Sequence, residues 1–173
     1  MARKLILGAF ILLVGFAIYS TYYYYQNRML PANERTVNAG AQTYRLLLAT
    51  QSSPYKDDLV ETLLAELADK DIAVRIVDAH HLGRVDPVDY HANVLIHTWE
   101  YFTYPLSVAK YIERADADRT FVVCTSGGGN QLPDGVDGIT SASVPAHVDR
   151  DAANVLRWLA LQFPTAFESM AAN

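Results

Sequence analysis

The sequence predicts an α/β protein with a parallel sheet, preceded by one apolar N-terminal helix. Short apolar runs at residues 46–49, 72–78, 92–98 and 120–125 have the length and composition of strands covered on both faces. Between and after them lie stretches with apolar residues at helical spacing. Strands alternating with helices require right-handed crossovers and a parallel sheet. The third observation is the absence of any charge from residue 5 to residue 27.

That first run is mostly large and apolar, long enough for a helix of about 20 residues to cross the hydrocarbon core. Tyr19, Tyr22, Tyr23, Tyr24 and Tyr25 close it as an aromatic belt would, so residues 1–27 read as a single-pass anchor in an inner or plasma membrane. A cleaved signal peptide competes with this reading, because Arg3 and Lys4 precede the run and Gly15 to Ala17 offers a small-residue cleavage site. The short basic amino end favours staying inside, which puts the rest of the chain outside the cytoplasm, although Arg28 and Arg35 nearly balance it. Residues 28–43, with Pro31, Asn33, Asn38 and Gly40, lack apolar periodicity and read as a linker.

A domain follows over residues 44–165, with a tail at 166–173. Its first strand, around 46–49, leads into a polar turn at 50–55 and a helix beginning near Lys56, with Leu59, Val60, Leu63, Leu64 and Leu67 along one face. Residues 72–78 supply a second strand and 92–98 a third, joined by a loop with a helical turn, since 80–91 contains Gly83 and Pro87 and is short for a helix. Residues 105–115 form a helix with Val108, Ala109 and Ile112 inward. Residues 120–125 are a fourth strand, and 131–138, with Pro133 and two glycines, are not helical. A short fifth strand at 136–143 precedes a helix over 146–163, whose Val148, Ala152, Val155, Leu156, Leu159 and Phe163 share one side and which stops before Pro164.

Of 173 residues, 14 are Lys or Arg and 19 are Asp or Glu, a formal charge of −5. The first 35 residues carry four of the bases and one acid, so the domain is strongly acidic and unsuited to nucleic acid. The single cysteine, Cys124, lies in an apolar strand and reads as a core residue rather than a nucleophile. His80, His81, His91 and His97 with Asp78 and Asp86 show no metalloprotease spacing, and no metal is expected. Ser126 lacks the residues of a nucleophile elbow.

Two stretches resemble a known family. The strand followed by Thr50-Gln-Ser-Ser-Pro-Tyr-Lys56 resembles the phosphate loop of the flavodoxin-like superfamily, nearest its NAD(P)H-dependent FMN and quinone reductase branch. The stretch His97-Thr-Trp-Glu-Tyr-Phe-Thr-Tyr-Pro105, continuing through Lys110, Tyr111, Ile112, Glu113 and Arg114, resembles that branch's third-strand loop and helix. The resemblance implies a flavodoxin-like three-layer sandwich with a five-stranded parallel sheet in the order 2-1-3-4-5 and FMN at the switch point. It also implies a cofactor site: Thr50, Gln51, Ser52, Ser53, Tyr55 and Lys56 toward the phosphate; Thr98, Trp99, Glu100, Tyr101 and Phe102 along the isoalloxazine; Thr125, Ser126, Gly127, Gly128 and Gly129 on its other side. The chain departs from the flavodoxin pattern at Ser53, where a glycine is usual, at Tyr55, where a threonine is usual, and in lacking the helix after the fourth strand.

The residue types suit the ligand. Hydroxyls, helix-end amides and a lysine can take up a dianion, flat aromatic rings match a flat ring, and glycines let a backbone come close. Each stretch also has a plain structural reading: a helix-start turn, a patch that packs on bilayer or partner, a flexible connection. Two functions therefore stay open. One is a membrane-anchored FMN protein exchanging electrons with a partner protein or a quinone; the other is a flavin-free interaction module on the same fold.

Overall fold

The computed structural model describes residues 2–27, 29–40, 42–99, 103–126 and 130–168. Helix α1 spans Ala2–Asn27. Within it Arg3–Tyr25 has a mean hydropathy of 2.1 and is long and apolar enough to cross a membrane, a property that signal sequences share.

The sheet has seven strands, not five. Five are parallel: β3 (Tyr44–Ser52), β4 (Ile72–Asp78), β5 (Ala92–Thr98), β6 (Thr120–Thr125) and β7 (Asp137–Ser141), in the spatial order β4-β3-β5-β6-β7. The other two come from the stretch expected to be a linker. β1 (Leu30–Pro31) pairs antiparallel with Ser52 and Gln51, extending beyond the end of β4, and β2 (Arg35–Val37) pairs antiparallel with β4 over Val74 to Ile76. The outer edge of β4 is thereby covered by backbone of the same chain, which removes an open edge. Asn38, with its backbone at φ 54°, turns the chain after β2, and its side-chain amide donates to the carbonyls of Leu67 and Ile72.

Alternation along β3 sets the three layers. Leu46 and Leu48 face α2 (Pro54–Leu67) and α4 (Val148–Gln162), where they meet Leu59, Leu63, Val155, Leu159 and Phe163. Leu47 and Ala49 face α3 (Leu106–Ile112) and the turn at Ala79–Arg84, where they meet Leu82, Leu95, Val108, Tyr111 and Val122. The β4 to β5 connection is a pair of 3-10 turns, and Arg114 ties the first of them down by donating to the Leu82 and Val85 carbonyls at 2.7 and 2.8 Å. A short helix, α5 (Pro164–Glu168), begins at Pro164 and buries Ala166, in the stretch expected to be a tail.

Gly138 in β7 stands opposite Val122, and a Cβ there would run into the Val122 carbonyl oxygen. Gly138→Ala is therefore expected to cost roughly 1–3 kcal/mol by prising β7 from β6. Urea unfolding of the full chain in non-ionic detergent would measure it.

Candidate functional site

The sequence-predicted site lies at the carboxyl ends of β3, β5 and β6, and the structure arranges its residues differently from a phosphate loop. β3 runs on to Ser52, so Thr50 and Gln51 are buried strand residues rather than turn residues. The Thr50 hydroxyl donates to the Gln51 carbonyl at 2.9 Å, and Gln51 Oε1 accepts the Thr98 N–H at 3.0 Å. Ser53 is the N-cap of α2: extended at φ −161°, it accepts the Lys56 N–H on its hydroxyl at 3.4 Å, with Pro54 opening the first turn. The Ser52 hydroxyl donates to the Asp57 carboxylate at 2.8 Å. An acid thus already sits at the positive end of the helix, where a phosphate would go.

Tyr55, expected to face a phosphate, turns inward instead. It is 2% exposed and its hydroxyl donates to Asp151 of α4 at 2.5 Å. Burial first, then the carboxylate, push the phenol well above its ordinary range. Asp151 is buried as well and also accepts from the Arg150 guanidinium at 2.8 and 2.9 Å. This Tyr55–Asp151–Arg150 cluster joins the first turns of α2 and α4.

Lys56 is fully buried at the switch point between β3 and β5. Its ammonium donates to Thr98 Oγ1 at 2.5 Å and to the thioether of Met29 at 2.9 Å. Thr98 Oγ1 lies 3.1 Å from Thr125 Oγ1, which in turn donates to the His97 carbonyl. Met29 and β1 hence lie across the strand ends where a ligand would enter. The same segment is fastened further along: the Ala32 N–H donates to Asp78 at 2.6 Å, and Glu34 accepts the Asp78 N–H and hydrogen-bonds His81 at 2.5 Å. The His81 bond holds the Glu34 carboxyl below its usual value. Asp78 also accepts the backbone N–H of His80 and meets its ring.

The backbone N–H of Trp99 donates to the Thr125 carbonyl at 2.6 Å, and its half-buried indole packs on Tyr104, centroids 5.5 Å apart, on the α3 side of the sheet. The Ser126 N–H donates to the Ser141 carbonyl at 3.0 Å. Glu100, Tyr101, Phe102, Gly127, Gly128 and Gly129 lie outside the described residues. His97 is buried under Tyr104 with Nδ1 donating to the Thr98 carbonyl at 3.3 Å. That leaves Nε2 buried and without a partner among the described residues, and burial pushes the imidazole down to about 4. Cys124 faces the same side from β6, its thiol raised by burial to about 11.

A cleft of about 210 Å³ opens beside this edge, lined by Pro31, Ala32, Arg35, Ser52, Asp57 and Glu61 among others. It is smaller than ordinary ligand pockets, which run from about 300 Å³. Arg35 is engaged with Glu61, and Asp57 adds a second carboxylate. The described residues therefore do not fit FMN: every hydroxyl assigned to its phosphate has an internal partner, and the chain's own backbone lies over the opening. Met29, Glu34, Asp57 and Asp151 shape this edge and were not among the residues expected to.

No protein-family model matches the chain, and no curated protein matches it. Among solved structures it is similar to general stress protein 14 of Treponema denticola in complex with FMN, at 11% identity and a TM-score of 0.42, covering 69% of this chain and 99% of that one. It is also similar to an oxidoreductase from Corynebacterium diphtheriae, at 12% identity and a TM-score of 0.43, covering 69% and 96%. Neither the ligand nor the activity of those proteins passes to this chain at such distance. Counted among themselves, the five parallel strands run in the order 2-1-3-4-5.

Proposed function

We propose that this chain is a single-pass membrane protein whose flavodoxin-like domain acts, outside the cytoplasm, as a flavin-free interaction module. The observation that carries this reading is the Met29 to Pro31 strap, which pairs with the end of β3 and seals the Lys56 ammonium at the switch point. A cofactor phosphate placed there would have to displace the strap, break the Ser52–Asp57 bond and bear the Asp57 charge. The fold in this reading is a scaffold, and its loops at the carboxyl edge are what a partner meets.

The full chain purified in non-ionic detergent is expected to be colourless, without the visible absorption of a bound flavin, and to leave added FMN fluorescence unquenched at micromolar concentration. A yellow protein, or quenching that saturates at one FMN per chain, would overturn the module.

A second reading, FMN-dependent electron transfer with a partner protein or a quinone, draws on one specific observation. Lys56, Thr98 and Thr125 form a cluster of a cation and two hydroxyls at the switch point, and such a cluster suits an anion once the strap withdraws. Removing residues 1–35 would then create FMN binding that the full chain lacks. No gain on removal counts against this reading and for the module.

A further inference from the structure

The segment between the apolar helix and the domain is too short and too firmly fastened to be a tether. Helix α1 ends at Asn27, and Met29, two positions on, already touches Lys56 Nζ and Thr98 Oγ1. Two residues reach at most roughly 7 Å. From Met29 onward the chain is held by the pairing of Leu30 and Pro31 with β3, by Ala32 and Glu34 on Asp78, and by β2 on β4. The described chain from Met29 onward is therefore part of the domain.

One edge of the sheet is consequently pinned where the helix leaves the bilayer, and it is the carboxyl edge. β3 has nine residues and so stretches about 30 Å away from that point. Of the five large exposed apolar side chains outside α1 among the described residues, three stand on this edge, while Val88 and Leu161, 78% and 76% exposed, lie away from it. Leu30 in the strap, Leu106 at the start of α3 and Val144 just after β7 are 46%, 68% and 40% exposed, and all three stand on the carboxyl edge. The tyrosines that close α1, Tyr22 to Tyr25, mark the level of the interface immediately before the strap. Charge on this edge is mostly acidic or already paired, with Asp57 and Asp149 in the first turns of α2 and α4, Arg150 on the buried Asp151 and Arg35 on Glu61. An anionic lipid surface is thereby disfavoured, and a neutral one is compatible.

We infer that the carboxyl edge of the sheet, with Leu30, Leu106 and Val144 as its apolar rim, rests on the surface of the bilayer that α1 spans, and that this surface is made of neutral headgroups. The inference depends on the reading of α1 as a retained anchor. It goes beyond that reading in saying which face of the domain the membrane covers, and it holds for either side of the membrane. Whatever the strand-end loops engage must then approach along the interface or out of the lipid.

The test uses the full chain in phosphatidylcholine vesicles, with Cys124→Ala so that one introduced cysteine carries a nitroxide. Leu106→Cys and Val144→Cys probe the inferred face, and Leu161→Cys, at the far end of α4, is the reference. Flotation with the vesicles is scored first. A chain that does not float after alkaline carbonate overturns the anchor reading, and this inference with it. For a chain that floats, collision with oxygen relative to a nickel chelate should be several-fold higher at 106 and 144 than at 161. Equal, water-like ratios at all three positions would overturn the inference while leaving the anchor intact. Should the cysteine variants fail to fold, Trp158→Phe leaves Trp99 as the single indole, and its emission should be quenched by brominated phosphatidylcholine. An unquenched Trp99 in a chain that floats has the same overturning force.

Discussion

Asp151→Ala should lower the stability of the fold by about 3 kcal/mol, measured by urea unfolding of the full chain in non-ionic detergent. The carboxylate is buried between two helix starts, where it accepts from the Tyr55 phenol and from two nitrogens of Arg150. Removing it takes the carboxylate acceptor from a phenol that is 2% exposed and leaves the Arg150 guanidinium without its partner. Tyr55→Phe should cost less, about 1 kcal/mol, because Asp151 keeps the guanidinium. The double variant separates packing from the bond. A coupling energy near 1 kcal/mol identifies the hydrogen bond as the shared element. An Asp151→Ala variant as stable as the parent would mean that the two helix starts are joined by something other than this cluster.

The same residues show how far the sequence could be read. The α2 stripe of Leu59, Val60, Leu63, Leu64 and Leu67 predicts the helix and its buried face with a start near Lys56, whereas the helix begins at Pro54 with Ser53 as its cap. Continuing that stripe back one turn lands on Tyr55 and Lys56, the two residues that prove buried. In α4 the periodic set Val148, Ala152, Val155 and Leu159 also passes through Asp151 and Trp158, and both are buried with it. A polar residue on an apolar stripe signals a buried partner, and Asp151 carried that signal. β1 and β2 carried none. They hold two and three residues, are exposed or half-buried, and form by backbone pairing to strands whose own patterns were complete without them. Edge additions of this kind bury little side-chain surface, so hydrophobic periodicity cannot report them.

Acid should weaken the fold through His97. The imidazole is buried under Tyr104 with Lys56 in its field, and burial above all holds its folded value near 4 against an ordinary value of about 6.5. The folded state therefore favours the neutral ring. As pH falls below about 6.5 the unfolded chain takes up a proton that the folded chain refuses, and stability drops until the folded ring titrates near 4. Across that window the loss attributable to His97 is about 3 kcal/mol. Above it the contribution is complete and flat. The carboxyls of Glu34 and of Asp71, which hydrogen bonds from Thr43 hold low, also favour the fold less as pH falls, but their loss comes at the lower end of the window and is common to any His97 variant. Urea unfolding at pH 7.5 and at pH 4.5, as ~3 units spanning the transition, should show most of the decline in the parent and a much flatter response in His97→Leu, which keeps the packing against Tyr104 but cannot titrate. An equal decline in both proteins would mean that the ring is solvated or already charged in the folded chain. In that case the packing of Tyr104 against His97 and Trp99 would not keep water from the ring.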